Sequence, residues 1–169
     1  GVMPMFIRSY YPDAVIDVVD IDPMVIEVAK TFLGFKEDAK LKSHVRDGAL
    51  YVAESKERYD LIFLDAYAPD YIPPQLSTPK FFALVKEHLT PNGVLVSNVW
   101  APPNAAYEPM KKTQAGAFGR VQVVSARKSG NHIFIALNQP DRKLAKAEVV
   151  EKAKALGLAR AFTFDLANI

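Results

Sequence analysis

The sequence predicts an α/β fold with a mostly parallel sheet that ends in an antiparallel hairpin. Helical and extended patterns alternate along the 169 residues, and this alternation is typical of parallel strands that are joined by helices. Short apolar runs at residues 15–20 and 59–64 are typical of strands that are buried on both faces of such a sheet. Two extended runs late in the chain flank residues 127–131, whose Gly-Asn pair is typical of a hairpin turn.

The first 65 residues alternate regularly between helix and strand. In order, they contain a helix over 3–11, a strand over 15–20, a helix from Pro23, a strand over 41–45, a helix over 49–55 and a strand over 59–64. Pro23 fits the first position of its helix, because the N–H that proline lacks would be unpaired there. Apolar residues at helical spacing predict one buried face for this helix, formed by Val25, Ile26, Ala29, Phe32 and Leu33.

The remaining elements are separated by segments that contain proline and glycine. A loop with three prolines covers residues 66–76, and it is followed by helices over 80–89, 105–118 and 143–156 and by strands over 94–99, 121–126 and 132–137. Thr78 is predicted to cap the first of these helices, with Pro79 at its first position. Pro-Asn-Gly at 91–93 predicts a turn, and Gly157 is expected to end the last helix.

Composition excludes several classes of function. The 21 basic and 19 acidic residues give a net charge of +2, which is too small to indicate a nucleic-acid partner. No apolar run reaches the roughly 20 residues that span a bilayer, so no membrane partner is expected. The absence of cysteine excludes disulfides, thiolate catalysis and cysteine-bound metals, and it fits a cytoplasmic location. The three histidines are scattered singly, and no metal site is predicted.

Three predicted strands each lead to a carboxylate. Asp20 ends the first strand, Asp47 follows the second, and Asp65 follows the third. Open α/β sheets bind ligands at the carboxyl ends of their strands, where an acidic residue accepts hydrogen bonds from ribose hydroxyls. The pattern therefore predicts a nucleoside site.

The glycine-rich turn of a doubly wound nucleotide fold corresponds in this chain to Gly1 alone. Such a fold needs a first strand that leads into a glycine turn, where the backbone approaches the ligand. This chain begins with Gly1 and continues directly into a helix. We therefore expect residues 1–169 to form a single Rossmann-like nucleoside-binding domain from a longer chain, with the first strand and glycine loop truncated.

Five segments occur in the order and spacing of a known family. They are Val-Val-Asp-Ile-Asp at 18–22, Arg-Asp-Gly at 46–48, Leu-Asp-Ala-Tyr-Ala-Pro at 64–69, Pro-Asn-Gly-Val-Leu at 91–95 and Gly-Asn-His-Ile-Phe-Ile-Ala at 130–136. Over roughly residues 1–137, the chain resembles the spermidine synthase (polyamine aminopropyltransferase) family. The fold that this resemblance implies is that of the class I S-adenosylmethionine-dependent methyltransferases.

The resemblance implies a role for each of the three carboxylates. Asp20 would hold the ribose hydroxyls of a thioadenosine, and Asp47 would read the adenine amino group, with Gly48 giving clearance. Asp65 would be the catalytic carboxylate, which orients the attacking amine and helps to take its proton. A carboxylate suits this chemistry, because an amine that attacks a sulfonium carbon has to lose a proton.

Further residues in and near these segments are expected at the site. Asp22, Ala66 and Gly1 are expected to contact the cofactor. Tyr67 and Asp70 are expected to contact the substrate. Simpler interpretations stay open: Asp22 also fits a helix N-cap, and Tyr67 an ordinary loop aromatic. Asp47 equally fits a turn-forming residue before glycine.

Two departures from the family pattern concern the acceptor. The family usually carries a second aspartate three residues after the catalytic one, whereas this chain has Ala68 there and its next acid at Asp70. The N-terminal β-domain that closes over the polyamine in the family is not expected within residues 1–169. Residues 59–79 contain no lysine or arginine, which favours a cationic substrate.

The resemblance implies transfer of an aminopropyl group from decarboxylated S-adenosylmethionine to a polyamine, without a metal. Two alternatives stay open, namely methyl transfer from S-adenosylmethionine to another acceptor and nucleoside binding without catalysis. The expected partners are a small-molecule polyamine or another acceptor and, as a further open alternative, a second copy of the chain.

Overall fold

A computed structural model describes residues 2–66, 72–100, 107–125, 130–139 and 146–162. The helices, in chain order, are α1 (Val2–Tyr10), α2 (Pro23–Phe32), α3 (Gly48–Glu54), α4 (Pro79–Glu87), α5 (Glu108–Phe118) and α6 (Lys146–Arg160). The strands are β1 (Ile16–Asp20), β2 (Leu41–Val45), β3 (Tyr59–Leu64), β4 (Leu89–Trp100), β5 (Gln122–Ser125) and β6 (Asn131–Leu137). None of the described helices is long and apolar enough to cross a membrane.

The chain divides into two compact units. Unit 1 comprises residues 1–46 and 142–169, and unit 2 comprises residues 47–141. In unit 1, β1 and β2 form a two-stranded parallel sheet whose register pairs Ile16 with Leu41. A small core forms where α2 packs against this sheet, and it consists of Ala29, Phe35 and Leu41. The strands predicted at 15–20 and 41–45 and the helix from Pro23 are confirmed.

The predicted apolar face of α2 is too wide. Ile26 and Ala29 are buried. The other three members of that face are exposed, namely Val25, Phe32 and Leu33. These side chains are exposed because a sheet of two strands covers only a narrow stripe of the helix that packs on it.

β1 is half-buried along its whole length, and the prediction of a strand buried on both faces is wrong. Asp17, in the middle of the strand, lies 2.8 Å from His44 Nε2 on β2. A carboxylate on one face keeps that face in contact with water, because complete burial of a charge is costly.

Glu37 fixes the segment between α2 and β2. Its carboxylate lies 2.6 Å from Lys30 Nζ and accepts hydrogen bonds from the backbone N–H and the hydroxyl of Ser43. The hydrogen bond from Lys30, followed by those from Ser43, lowers the pKa of Glu37 from its ordinary 4.5 to about 2. One ionised side chain therefore connects the last turn of α2 to the middle of β2.

The protein should lose stability in acid, and Glu37→Gln should make that loss smaller. The folded-state pKa of Glu37 lies below its ordinary value, so its stabilisation is complete above 4.5 and is lost as the pH falls towards about 2. Part of the loss should persist in the variant, because the pKa values of Asp38 and Asp47 are lowered as well. Urea unfolding at about pH 6 and about pH 3 measures the effect. Glu27→Gln, on an exposed position of α2, is the control. An identical pH dependence in Glu37→Gln and wild type would contradict the prediction.

The four strands of unit 2 form a mixed sheet in the order β3-β4-β6-β5. β3 and β4 are parallel, whereas β6 is antiparallel to both β4 and β5. Helices α4 and α5 pack against this sheet around Phe82, Leu95 and Phe118, which are fully buried. The predicted antiparallel end of the sheet is thus confirmed, although residues 126–129 of its turn lie outside the described residues.

The turn predicted at residues 91–93 lies inside β4 and not between two elements. Leu89 pairs with Tyr59 and Val94 with Leu61, so the residues between Leu89 and Val94 bulge out of the pairing with β3. A Cβ on Gly93 would lie 2.9 Å from the carbonyl oxygens of Thr90 and Tyr59. Glycine is therefore required here, because two backbone carbonyl groups approach it closely.

β3 was expected to be buried on both faces, but Leu61 and Phe63 are 43% and 41% exposed. β3 is an outer strand of its sheet, and an outer strand has a neighbour on one side only.

Two predictions concern the ends of helices. The expected end of the last helix at Gly157 is wrong, since α6 continues to Arg160. The capping prediction for α4 is confirmed, because the Thr78 hydroxyl accepts a hydrogen bond of 3.1 Å from the N–H of Phe81.

Candidate functional site

Asp65 and Asn98 form a hydrogen-bonded pair at the carboxyl ends of β3 and β4. The parallel register pairs Leu64 with Ser97, which brings the next residue of each strand side by side. Asn98 Nδ2 donates a hydrogen bond of 2.9 Å to Asp65 Oδ1. Asp65 is exposed, and its Oδ2 has no partner among the described residues. The arrangement therefore presents one carboxylate oxygen to solvent while the other is anchored.

The sequence analysis missed Asn98. A signal was present, because Asn98 is an amide in the run 94–99, which is apolar apart from Ser97 and Asn98, and lies close to the carboxyl end of that strand. The signal became specific only with the register, which places this amide beside Asp65.

Asp47 begins α3 as its N-cap. Its Oδ1 accepts hydrogen bonds from the N–H groups of Ala49 and Leu50, at 2.8 Å and 3.0 Å. Its Oδ2 accepts a bond of 3.2 Å from Gln75 Nε2. The Leu50 hydrogen bond, with those from Gln75 and Ala49, lowers the pKa of the carboxyl group. The local interpretation, a turn-forming Asp-Gly, therefore describes the backbone here, and a role toward adenine remains a prediction.

Gly48 is half-buried at the first position of α3. A Cβ added there would meet Leu76 Cδ2 at 3.8 Å, which is an ordinary contact. The protein itself therefore has room for a side chain at this position, and the clearance role of Gly48 toward adenine remains a prediction.

Gly48→Ala should leave the melting temperature unchanged or slightly raised, because alanine favours a helix over glycine. Its affinity for methylthioadenosine should fall by about tenfold, equivalent to roughly 1.4 kcal/mol, if Gly48 provides clearance for adenine. Calorimetric titration and thermal unfolding measure the two effects separately. Gly116→Ala in α5 is the matched control, since a Cβ there meets nothing within 4 Å. Full affinity in Gly48→Ala would exclude the clearance role.

Two acids of unit 1 occupy the end of β1. Asp20 is half-buried, and its Oδ1 accepts a hydrogen bond of 2.9 Å from the N–H of Asp22. Asp20 Oδ2 has no partner among the described residues. Asp22 is the N-cap of α2, because its Oδ1 accepts a bond of 2.8 Å from the N–H of Met24. The simpler interpretation of Asp22 is thus present in the structure, and a role of Asp20 toward ribose remains a prediction.

The predicted site residues are distributed over both units. Asp20 and Asp22 belong to unit 1, and the residues of unit 2 are Asp47, Gly48, Asp65 and Ala66. Ala66 packs against the core of unit 2. Three predicted contacts lie outside the described residues, namely Gly1, Tyr67 and Asp70. Within the described ranges, no three His, Asp or Glu side chains are placed to hold a metal ion.

Comparison with protein families gives a match to the model of the spermine/spermidine synthase domain over residues 9–117. The match covers more than half of the chain. It includes all three strand-terminal carboxylates, Asp20, Asp47 and Asp65.

Among curated proteins, the chain is similar to two kinds of transferase. It is 30% identical over 168 residues to the human eEF1A lysine and N-terminal methyltransferase, covering 92% of this chain and 24% of that protein. It is 27% identical over 174 residues to the polyamine aminopropyltransferase of Vibrio vulnificus, covering 99% of this chain and 57% of that protein. The chain thus spans only part of the length of either relative.

Two solved structures resemble the chain over most of its length. Human methyltransferase-like protein 13, in complex with SAH, has a TM-score of 0.87 at 29% identity, over 97% of this chain and 79% of that one. A probable spermidine synthase from Corynebacterium glutamicum has a TM-score of 0.73 at 22% identity, over 92% and 57%. These likenesses confirm the predicted α/β fold of methyltransferase type.

Proposed function

Because the chain belongs to the spermine/spermidine synthase domain family, we propose that it transfers an alkyl group from a sulfonium donor to an amine. The observation that carries the proposal is Asp65, a carboxylate at the end of β3 whose Oδ1 is held by Asn98. The amine nitrogen forms a bond to the carbon next to sulfur, and the electron pair of the breaking C–S bond goes to sulfur. Asp65 Oδ2 accepts the proton that the amine loses.

Binding of the donor is assigned to the other two carboxylates. We propose that Asp20 Oδ2 accepts hydrogen bonds from the ribose hydroxyls, since Asp20 Oδ1 is already occupied by the N–H of Asp22. Asp47 is assigned to the adenine amino group, with Gly48 beside it. When they are ionised, both carboxylates accept hydrogen bonds and donate none, which suits partners that donate hydrogen bonds, such as hydroxyl and amino groups.

The first version of this function is aminopropyl transfer from decarboxylated S-adenosylmethionine to a polyamine. The family match and the similarity to a polyamine aminopropyltransferase support this version. The absence of lysine and arginine from residues 59–79 also supports it, because a polyamine carries several positive charges.

The second version is methyl transfer from S-adenosylmethionine to an amine. Ala68 favours it, since the second carboxylate of the aminopropyltransferase pattern is missing, and an acceptor with a single amine needs one carboxylate only. The similarity to an eEF1A lysine and N-terminal methyltransferase, and to a methyltransferase-like protein that binds SAH, supports the same version.

Turnover assays with the two donors separate these versions. Decarboxylated S-adenosylmethionine is offered with a diamine, and S-adenosylmethionine with peptides that carry a lysine or a free N-terminus. Product from the first pair alone supports aminopropyl transfer, and product from the second pair alone supports methyl transfer. Calorimetric titration with methylthioadenosine and SAH accompanies both assays. Binding without turnover would leave nucleoside binding without catalysis, and the absence of binding would overturn the nucleoside site itself.

A further inference from the structure

We infer that Asn98 is a positioning residue for the transfer step, and that it acts by fixing the orientation of the Asp65 carboxylate. The inference rests on the proposed function, because it assigns a partner to the residue that is proposed to accept the proton. Its structural basis is the 2.9 Å hydrogen bond from Asn98 Nδ2 to Asp65 Oδ1.

The two residues differ in how firmly they are held. Asp65 follows the last residue of β3, which is the outer strand of its sheet, and its side chain is exposed. Asn98 lies within β4, which pairs with β3 on one side and with β6 on the other, where Asn98 is in register with Ile133. An exposed carboxylate at a strand end has several rotamers of similar energy. A bond to an amide on an inner strand selects one of them.

The side-chain amide of Asn98, which donates the hydrogen bond to Asp65, carries no charge, and this matters for the reaction. A lysine or arginine at the same place would hold Asp65 too, but it would also cancel the charge that attracts a cationic amine. The amide of Asn98 occupies Oδ1 and leaves the negative charge of the carboxylate in place. Oδ2 then keeps both tasks, holding the amine beforehand and accepting its proton.

The test compares two variants that remove the amide donor of Asn98 at similar side-chain size with one that keeps the amide on a longer side chain. Asn98→Leu removes the donor, and Asn98→Asp replaces it with a carboxylate that repels Asp65 at neutral pH. Asn98→Gln retains an amide. Asn138→Leu is the matched control, because Asn138 Nδ2 donates to the carbonyl oxygens of Thr90 and Leu89 at the opposite end of β4, at 2.9 Å and 3.3 Å.

We expect Asn98→Leu to lower kcat roughly ten- to a hundredfold, since a misplaced catalytic group costs that much even when it is present. The KM for the sulfonium donor and the melting temperature should stay close to wild type. Asn98→Asp should lose more, and Asn98→Gln should recover part of the rate. Asn138→Leu should lower the melting temperature and leave kcat unchanged.

The decisive comparison is made in the Asp65→Asn background. If Asn98 acts through Asp65, adding Asn98→Leu there has no further effect on the residual rate. Equal rates for Asn98→Leu and wild type, or additive losses in the double variant, would overturn the inference while the proposed function stands. A wild-type protein without turnover on any of the offered amines would overturn the proposed function, and the inference with it.

Discussion

Asp65→Asn should lower turnover by about 10²- to 10⁴-fold, which is the usual contribution of a general base. The substitution keeps the shape of the side chain, and an asparagine side-chain oxygen at the Oδ1 position still accepts the bond from Asn98 Nδ2. It replaces Oδ2 with an amide nitrogen, which cannot accept a proton from an amine. Affinity for methylthioadenosine should change by only a few fold, because the donor nucleoside is assigned to other residues.

The same substitution elsewhere on β3 gives the control for this result. Asp60 is exposed near the other end of the strand, where its Oδ1 accepts a hydrogen bond of 2.9 Å from the Thr90 hydroxyl. Asp60→Asn therefore makes an identical chemical change away from the carboxyl end of the sheet, and it should keep the full rate. Single-turnover assays with saturating donor measure both variants. Wild-type turnover in Asp65→Asn would remove the proton-accepting role from this residue.

The kinds of element and their order could be predicted from periodicity, whereas the position of residues 91–93 inside a strand could not. Pro-Asn-Gly has the same local chemistry in a turn and in a bulge. The difference lies in Tyr59, whose carbonyl oxygen approaches Gly93 from a strand that is far away in the sequence. Only the pairing of β3 with β4 decides between the two structures.

Burial was predicted less well than secondary structure, for a related reason. Phe32 and Phe63 belong to strongly apolar segments, and both are exposed. An apolar run indicates that a segment prefers burial, but the topology determines which neighbours cover it. Phe32 lies on a helix supported by two strands, and Phe63 on an outer strand, so neither has neighbours on every side.

Local hydrogen bonding around the candidate site could be predicted from short patterns. The N-cap role of Asp22 and a local backbone role of Asp47 before glycine are of this kind, because their hydrogen bonds reach only two or three residues along the chain. The bond from Asn98 to Asp65 spans 33 positions. A sequence without its register cannot indicate such a partner.

Asp20→Asn should weaken the binding of methylthioadenosine by about 1–3 kcal/mol, or roughly 5- to 150-fold. The bond from the N–H of Asp22 to Oδ1 survives, since an asparagine side-chain oxygen accepts it equally well. What changes is Oδ2, which becomes an amide nitrogen and no longer accepts hydrogen bonds from the ribose hydroxyls. Asp22→Asn is the matched variant, because asparagine is a good N-cap and the cap of α2 is retained.

A ligand that lacks the two ribose hydroxyls tests whether the loss of affinity in Asp20→Asn arises at the ribose. The 2′,3′-dideoxy analogue of methylthioadenosine should bind wild type and Asp20→Asn with the same, weak affinity. The four titrations then form a double-mutant cycle, and its coupling energy should equal most of the loss seen with the natural nucleoside. A loss that is identical for both ligands would mean that Asp20 acts through the backbone at the end of β1, and the ribose assignment would be wrong. If Asp22→Asn loses as much as Asp20→Asn, the expected contact of Asp22 with the cofactor matters as much as that of Asp20, and the ribose hydroxyls are not assigned to Asp20 alone.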